Sequence, residues 1–314
     1  MSAPSSSLLR IGVDGGGSKT ALVLVDGHDA PLARQLAPGC NPSVAGPVAA
    51  RHILLEALTR LAAASPPHAR VTHTLLCMAG SRAFWHETAA TLPPEFGQVL
   101  TTDDSRPVLE LATGGRPGLV LHGGTGSFVA ALAPRRESDT ADMFHPDLAP
   151  HYAGGFGWRF GDPGSGYDLG SRAISRGLLE LQGAAVSTRI GTLLSDRFPG
   201  QPAAAITRHL YTIDQPNPEI AGFAPAVLHL AVEGDETARQ LVHASARPLL
   251  DIAIQFATRL FPDTALDTIP AGVSGPILTN PSMLRWWQNH SPLPVTAVDT
   301  LPIDGVRRLL GQLA

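Results

Sequence analysis

Ile11–Asp26 read IGVDGGGSKTALVLVD, and this stretch decides the fold class. Apolar and β-branched residues lie on both sides of a glycine-rich turn, which is the pattern of a β-hairpin. We predict a strand over Leu9–Val13, a turn over Asp14–Lys19 and a second strand over Thr20–Val25. The hairpin places an acidic residue and the chain's only lysine at its mouth.

Two better-known glycine-rich devices do not fit this turn. A P-loop needs glycine directly before its lysine and a helix after it, but Ser18 precedes Lys19 and a strand follows. A dinucleotide-binding fingerprint also requires a helix after its glycines. Glycine turns still bring backbone N–H groups close to phosphate oxygens, and Asp14 suits Mg²⁺, directly or through water. Read alone, the turn is equally typical of an ordinary hairpin, since Asp-Gly is a favoured turn pair.

A second copy of the hairpin follows in the middle of the chain. Gly118–Ala133 read GLVLHGGTGSFVAALA, again a strand, a glycine-rich turn and a strand. Both turns also carry hydroxyl residues, which makes coincidence the weaker interpretation. The pattern therefore predicts a duplicated domain in which each half begins with a phosphate-facing hairpin.

The segments between and after the hairpins predict α/β halves. Val48–Ala64 has helical periodicity and Val71–Gly80 reads as a buried strand. Phe96–Asp104 ends a strand on two carboxylates, and about 167–261 is mainly helical. The tail IDGVRRLLGQL predicts a helix that packs back on the first domain.

The length and net charge of the chain limit the classes of function that it can have. The chain has 314 residues, enough for two domains, and a net charge of -4, which argues against nucleic-acid binding. No apolar run reaches the ~18 residues of a membrane span, and MSAPSSSLLR lacks the features of a signal peptide. Two cysteines offer no disulfide framework. We expect a soluble cytoplasmic protein.

Taken together, the motifs resemble those of the BadF/BadG/BcrA/BcrD ATPase family, in its amino-sugar kinase branch. GVDGGGSKT is similar to the family's first phosphate motif, MAGS to a sugar-side loop and TTDD to the catalytic strand end. GGTGS is similar to the second phosphate motif, GGFGWRFGDPGSGY to the sugar-binding and dimer-region signature, and AGVSGPI to the adenosine motif. The motifs follow the family order over nearly the whole chain.

The resemblance implies a fold, a reaction and an assembly. The fold would be α/β, with two ribonuclease-H-like domains of the actin/hexokinase type and an active-site cleft between them. The N-terminal domain would cover 1–115 with 302–314 packed back on it, and 116–301 would form the C-terminal domain with a helical insertion. The reaction would be ATP- and Mg²⁺-dependent phosphorylation of N-acetylglucosamine or glucosamine at the 6-hydroxyl, in a homodimer with no nucleic-acid or membrane partner.

The resemblance also assigns site residues at the matching positions. Asp103 would be the catalytic base, and Asp14 would organise Mg²⁺. The sugar contacts would be Asn41, Gly80, Asp103, Gly155 and Asp162. The ATP contacts would be Gly15, Gly16, Gly17, Ser18, Lys19, Thr20, Gly124, Thr125, Gly126, Ser127, Gly272 and Gly275.

Some features depart from the family pattern, and other functions stay open. Pro163 stands where the family often has Glu, and His122 where it has a small residue; both bear on sugar specificity. TTDD also allows a one-residue slip from Asp103 to Asp104. The alternatives are an ATP-driven activator of a partner enzyme, which would bind an iron–sulfur cluster through cysteines, and a sugar-sensing protein without catalysis. A muramic-acid derivative is a further candidate substrate.

Overall fold

The computed structural model describes residues 8–134 and 149–313, so part of the N-terminal segment analysed for a signal peptide lies outside it. The described residues form two compact units. Unit 1 consists of residues 8–116, 149–150 and 300–313, and unit 2 of residues 117–134 and 151–299. Among residues 8–134 and 149–313, no helix is both long and apolar enough to cross a membrane.

Unit 1 is a five-stranded sheet with helices on its faces. Its elements are β1 (Leu8–Gly15), β2 (Lys19–Val25), β3 (Pro31–Pro38), α1 (Pro42–Ala45), α2 (Pro47–Ala62), β4 (Arg70–Met78), α3 (Arg82–Ala90), β5 (Gln98–Asp103), α4 (Ser105–Thr113) and, from the end of the chain, α13 (Pro302–Leu310).

Unit 2 is a second five-stranded sheet followed by a helical region. Its elements are β6 (Gly118–Gly123), β7 (Ser127–Leu132), β8 (His151–Gly154), α5 (Gly166–Leu181), α6 (Arg189–Arg197), α7 (Ala203–Thr212), α8 (Pro216–Ala221), α9 (Ala224–Val232), α10 (Glu236–Leu260), β9 (Ala271–Ser274), α11 (Gly275–Leu278), α12 (Pro281–His290) and β10 (Val295–Ala297).

The two sheets have the same topology. The strand order is β3-β2-β1-β4-β5 in unit 1, and read from the other edge it is β8-β7-β6-β9-β10 in unit 2. In each sheet the first three strands form an antiparallel meander, and the last two run parallel to the first strand. The predicted pair of ribonuclease-H-like domains of the actin/hexokinase type is thereby confirmed.

Both faces of the first sheet are covered, which explains its apolar strands. Leu9, Ile11 and Val13 of β1 are fully buried in a cluster with residues of α2. On the other face α13 packs against β1, β2 and α4. Pro302 begins α13, a position where its missing N–H costs nothing, and basic residues in the last turn suit the helix dipole. In unit 2, the long helix α10 fills the core beneath the sheet.

Candidate active site

The carboxyl ends of three parallel strands meet at one edge of the first sheet. Gly15 of β1 pairs with Met78 of β4, which pairs with Asp103 of β5, so the three residues form one row. In open α/β sheets ligands bind at this edge. Because successive side chains in a strand point to opposite faces, Asp14 and Asp103 leave the sheet on different sides. The two predicted acids are therefore neighbours with separate surroundings.

The glycine turn of unit 1 is tied to the loop after β3. The amide of Gly16 donates to the carbonyl of Lys19 at 3.0 Å, which closes the turn. The Gly16 carbonyl accepts hydrogen bonds from the amides of Cys40 and Asn41, at 3.1 and 3.3 Å. The turn is shorter than the predicted Asp14–Lys19, because β1 continues to Gly15 and β2 already begins at Lys19.

The tip of this turn presents backbone N–H groups at the surface. Gly17 and Ser18 are exposed, and no hydrogen bond from their amides to another described residue is present. Gly39 packs so closely beneath them that a Cβ there would lie 2.1 Å from the Gly17 carbonyl oxygen. The amides are thus held at the surface on a fixed support, and they suit the oxygens of a phosphate group.

Asp14 is half-buried, and the pKa of its carboxyl group is shifted. Burial, helped by the negative charge of Asp104, raises the pKa of Asp14 to about 6, while the nearby Lys19 ammonium acts in the opposite direction. A bound divalent cation would offset both the energetic cost of burying the Asp14 charge and its repulsion by Asp104. Mg²⁺ prefers one or two carboxylates together with water and substrate phosphates, so Asp14 beside a phosphate-sized turn fits such an ion. Among the described residues, no group of three or more His, Cys, Asp or Glu side chains could hold a metal by itself.

Asp103 ends β5 in an ion pair with Arg82, a residue that the sequence analysis did not single out. Arg82 Nε donates to Asp103 Oδ1 at 2.9 Å, and Arg82 Nη2 donates to Oδ2. The Asp103 side chain is only 12% exposed. Asp103 does not cap α4, because the residue at the cap position is Asp104, whose side chain makes no capping hydrogen bond.

The predicted sugar contacts of unit 1 lie close together. Asn41 caps the short helix α1 by accepting the amide of Ser43 at 2.9 Å. Gly80 has a positive φ of 99°, and a Cβ on it would lie 2.8 Å from Asn41 Oδ1. Only glycine therefore fits at this position, and the loop after β4 runs directly beside Asn41.

The second glycine turn repeats the design of the first in unit 2. The amide of Gly124 donates to the Gly126 carbonyl at 2.9 Å. The Gly124 and Thr125 carbonyls accept amides from the first turn of α5, at 2.8 Å from Gly166 and 3.2 Å from Tyr167. Within the described ranges, no hydrogen bond leads from the amides of Thr125 and Gly126 to a partner. They are donors of the same kind as those at the first turn.

Asp162 braces this second turn. Its Oδ1 accepts the amide of Gly157 at 3.2 Å, and a Cβ on Gly126 would lie 2.8 Å from its Oδ2. Burial raises the pKa of Asp162, while the backbone amides of Gly157 and Ser127 act in the opposite direction. The carboxyl group therefore connects the loop after β8 to the glycine turn. Gly155 is exposed in the same loop with a positive φ of 73°.

Three predicted ATP contacts also have a structural role. The hydroxyl of Thr20 is buried and donates to the Pro38 carbonyl at 2.8 Å, and that of Ser127 is buried and donates to the Pro163 carbonyl at 2.7 Å. Gly272 lies inside β9, buried between β6 and β10. The side chains of Thr20 and Ser127 and the whole of Gly272 therefore support the turns, and their contact with a nucleotide stays a prediction.

Gly275, directly after β9, and His122, near the end of β6, lie side by side. A Cβ on Gly275 would meet the Gly123 carbonyl oxygen at 2.5 Å and the His122 ring at 3.0 Å. His122 Nδ1 is 3.0 Å from Ser274 Oγ, and its ring stacks on Phe128. Burial lowers the pKa of His122, so the ring is neutral near pH 7. The His122 ring also lies beside the second glycine turn, because a Cβ on Gly124 would be 3.5 Å from its Nε2.

The comparisons with known proteins give a family and a set of solved structures. A sequence model of the BadF/BadG/BcrA/BcrD ATPase family matches residues 11–266. No curated protein sequence matches the chain. The chain is similar to the crystal structure of a candidate N-acetylglucosamine kinase from Chromobacterium violaceum, with 26% identity over 98% of this chain and 100% of that one and a TM-score of 0.69.

Two further structures share the fold. A candidate N-acetylglucosamine kinase from Porphyromonas gingivalis is 20% identical over 96% of this chain and 98% of that one, with a TM-score of 0.68. A candidate sugar kinase from Cytophaga hutchinsonii is 12% identical over 96% and 99%, with a TM-score of 0.54. At these identities the likeness shows the fold alone.

Proposed function

The chain belongs to the BadF/BadG/BcrA/BcrD ATPase family, and from that premise we propose that it is a sugar kinase. The reaction is transfer of the γ-phosphoryl group of ATP to the 6-hydroxyl of an amino sugar, either N-acetylglucosamine or glucosamine. The observation that carries the proposal is a buried carboxylate, Asp103, at the carboxyl edge of a sheet that also presents a glycine turn, whose Gly17 and Ser18 amides bond to none of the described residues. Similarity to a candidate N-acetylglucosamine kinase supports the substrate class.

Asp103 is the proposed general base. A sugar hydroxyl is a weak nucleophile, and a carboxylate within hydrogen-bond reach orients it and accepts its proton. As the new bond forms between the sugar oxygen and the γ-phosphorus, the bond from that phosphorus to the β–γ bridging oxygen breaks, and its electron pair leaves with ADP. The proton of the hydroxyl moves to Asp103. Asn41 and Gly80, which lie together in unit 1, are the proposed sugar contacts beside it.

The glycine turns are the proposed phosphate contacts. The amides of Gly17 and Ser18 in unit 1, and those of Thr125 and Gly126 in unit 2, are donors without partners among the described residues. Lys19 adds a compact positive charge at the first turn. Mg²⁺, when bound, neutralises charge on the β- and γ-phosphates, and Asp14 would hold it directly or through water. Gly275 is the proposed contact on the adenosine side.

The cysteines argue against the activator alternative. Cys40 and Cys77 are fully buried, and burial raises the pKa of both thiols. Cluster ligation requires thiolates that an iron–sulfur cluster can reach. Cys77 lies within β4, and Cys40 Sγ lies 3.1 Å from the Thr20 hydroxyl oxygen. Neither cysteine is placed to bind a cluster between subunits.

A substrate panel tests the proposed function. The purified chain is incubated with Mg-ATP and, separately, with N-acetylglucosamine, glucosamine, N-acetylmuramic acid, glucose and mannose, and ADP release is followed. We expect ADP release above the no-sugar background with N-acetylglucosamine or glucosamine. Selective turnover of glucose or mannose would contradict the amino-sugar assignment, and ADP release that is equal with and without sugar would contradict kinase function.

A further inference from the structure

Arg82 donates a fork of two hydrogen bonds to Asp103, the proposed base. One nitrogen, Nε, donates to Asp103 Oδ1 at 2.9 Å, and a second, Nη2, donates to Oδ2. This bidentate geometry fixes the plane of a carboxylate, and lysine cannot reproduce it. We propose that Arg82 is a positioning residue, which orients Asp103 toward the sugar hydroxyl. The inference rests on the function proposed above and adds a residue to it.

The place of Arg82 in its helix supports a role outside the helix. Arg82 is the first residue of α3, directly after the cap Ser81, whose hydroxyl accepts the amide of Phe84 at 3.3 Å. The N-terminus of a helix carries a partial positive charge, so a cation there is unfavourable for the helix itself. The Arg82–Asp103 contact, which joins α3 to the end of β5, offsets that cost.

The ion pair is also a poor source of stability. The Arg82 side chain is 45% exposed, and ion pairs with such an exposed partner add little to the free energy of unfolding. Asp103, in contrast, is nearly buried. The ion pair with the half-exposed Arg82 therefore affects the orientation of the buried Asp103 carboxylate more than the stability of the fold.

The fork leaves the carboxylate able to act as a base. Each carboxylate oxygen has two lone-pair directions, and the guanidinium occupies one on each oxygen. A remaining direction can accept the sugar hydroxyl, which must lie within hydrogen-bond reach of the base. The positive charge of Arg82 also offsets the negative charge that Asp103 would present to an incoming phosphoryl group. Without Arg82, the carboxyl group would rotate among several orientations.

Arg82→Ala tests the inference through kcat and chemical rescue. We expect kcat for the preferred amino sugar to fall roughly 10- to 100-fold, the loss typical of a misplaced reacting group. The KM for ATP should stay unchanged, because Asp103 is proposed to act on the sugar. Guanidinium chloride at tens of millimolar, far below denaturing concentrations, should restore part of kcat by refilling the vacated position. Arg82→Lys should keep the charge but lose the fork, and should recover little activity.

A matched control separates positioning from a general ion-pair effect. Arg34 is also 45% exposed, and it pairs with Asp304 in the same unit. Arg34→Ala should retain wild-type kcat and should not respond to guanidinium. If Arg82→Ala does not fold, Arg82→Gln, which keeps a polar side chain but removes the guanidinium group, takes its place in the assay.

Each outcome decides the matter. An active wild type whose folded Arg82 variant keeps wild-type kcat overturns the inference alone. A loss of kcat that guanidinium does not restore, accompanied by a lower melting temperature, also overturns it, because the residue would then be structural. A wild type that phosphorylates no sugar overturns the proposed function and this inference with it.

Discussion

At the scale of single residues, the two acids that follow one another at the end of β5 differ in their surroundings. Asp103 pairs with Arg82, whereas Asp104 lies on the side of Asp14. Burial raises the pKa of Asp104, and the charge of Asp103 adds to the effect. The sequence TTDD could not separate the two acids, because their partners come from elsewhere in the chain. The geometry favours Asp103 as the base.

Asparagine substitutions compare the two acids directly. Asp103→Asn should lower kcat roughly 10²- to 10⁴-fold, the usual contribution of a general base. The ATP affinity should change little, because Asp103 is proposed to act on the sugar. The melting temperature should also change little, because an ion pair with the half-exposed Arg82 adds little stability. Asp104→Asn should keep most of the wild-type kcat. Steady-state kinetics and thermal unfolding of both variants provide the check, and an inactive Asp104→Asn beside an active Asp103→Asn would reverse the assignment.

Asp14 predicts a pH-dependent gain in stability on substitution. Its pKa of about 6 in the fold, against an ordinary 3.8, means that ionisation is harder in the folded than in the unfolded state. The resulting penalty begins near pH 4 and is complete above about pH 6. In EDTA, Asp14→Asn should therefore raise the free energy of unfolding by about 3 kcal/mol at pH 8 and by less at pH 4.5.

Urea unfolding at the two pH values measures this effect. An equal change at pH 4.5 and pH 8, or a loss of stability at pH 8, would contradict the origin of the pKa shift. The same variant should lose kinase activity in the presence of Mg²⁺, because the proposed ligand is gone. Stability gained together with activity lost is the pattern expected when a site residue is strained for function.

At the scale of elements, Gly39 connects the loop after β3 to the first glycine turn. A Cβ at Gly39 would lie 2.1 Å from the Gly17 carbonyl oxygen, so Gly39→Ala must displace the turn. We expect a loss of about 1–3 kcal/mol of stability and roughly tenfold weaker ATP binding, equivalent to about 1.4 kcal/mol. Calorimetric titration with ATP measures the second effect.

Gly27 provides the matched control at another turn of the same unit. A Cβ there would meet only the Leu8 carbonyl oxygen, at an ordinary 3.8 Å. Gly27→Ala should bind ATP like the wild type. Unchanged ATP affinity in Gly39→Ala would show that the turn does not hold the nucleotide.

The elements that sequence patterns predicted are those with local signals. Both hairpins, the strand that became β4 and the helix that became α2 follow from periodicity and turn residues. The edge strand β3 was not predicted, because it is only half-buried and carries exposed Leu32 and Leu36. Arg82 was missed for a different reason: nothing in its neighbourhood in the sequence indicates Asp103, which lies 21 positions away.

At the scale of the whole molecule, duplication explains the repeated design. Each sheet begins with a hairpin whose turn presents amides that have no partner in the described part of the chain. A hydroxyl behind each turn donates to a proline carbonyl. The halves then diverge: unit 1 carries Asp14, Asp103 and Asp104, and unit 2 carries the helical region α5–α10. The family pattern could predict the turns, but not which of their hydroxyls point inward, because that depends on packing from distant segments.

The oligomeric state is a separate prediction at this scale. A homodimer is implied by the family resemblance, and light scattering at micromolar concentration measures it. We expect a mass near twice the 32.9 kDa of the chain. A monomer at that concentration would contradict the expectation without affecting the proposed chemistry.

The position of the transferred phosphoryl group tests the central claim most directly. The chain is incubated with Mg-ATP and N-acetylglucosamine or glucosamine, and the products are followed by proton-coupled ³¹P NMR. The account predicts a new phosphomonoester signal split by the two protons on carbon 6, which appears with ADP and is lost in Asp103→Asn. A signal coupled to the single anomeric proton, or inorganic phosphate as the only new phosphorus product, would contradict it.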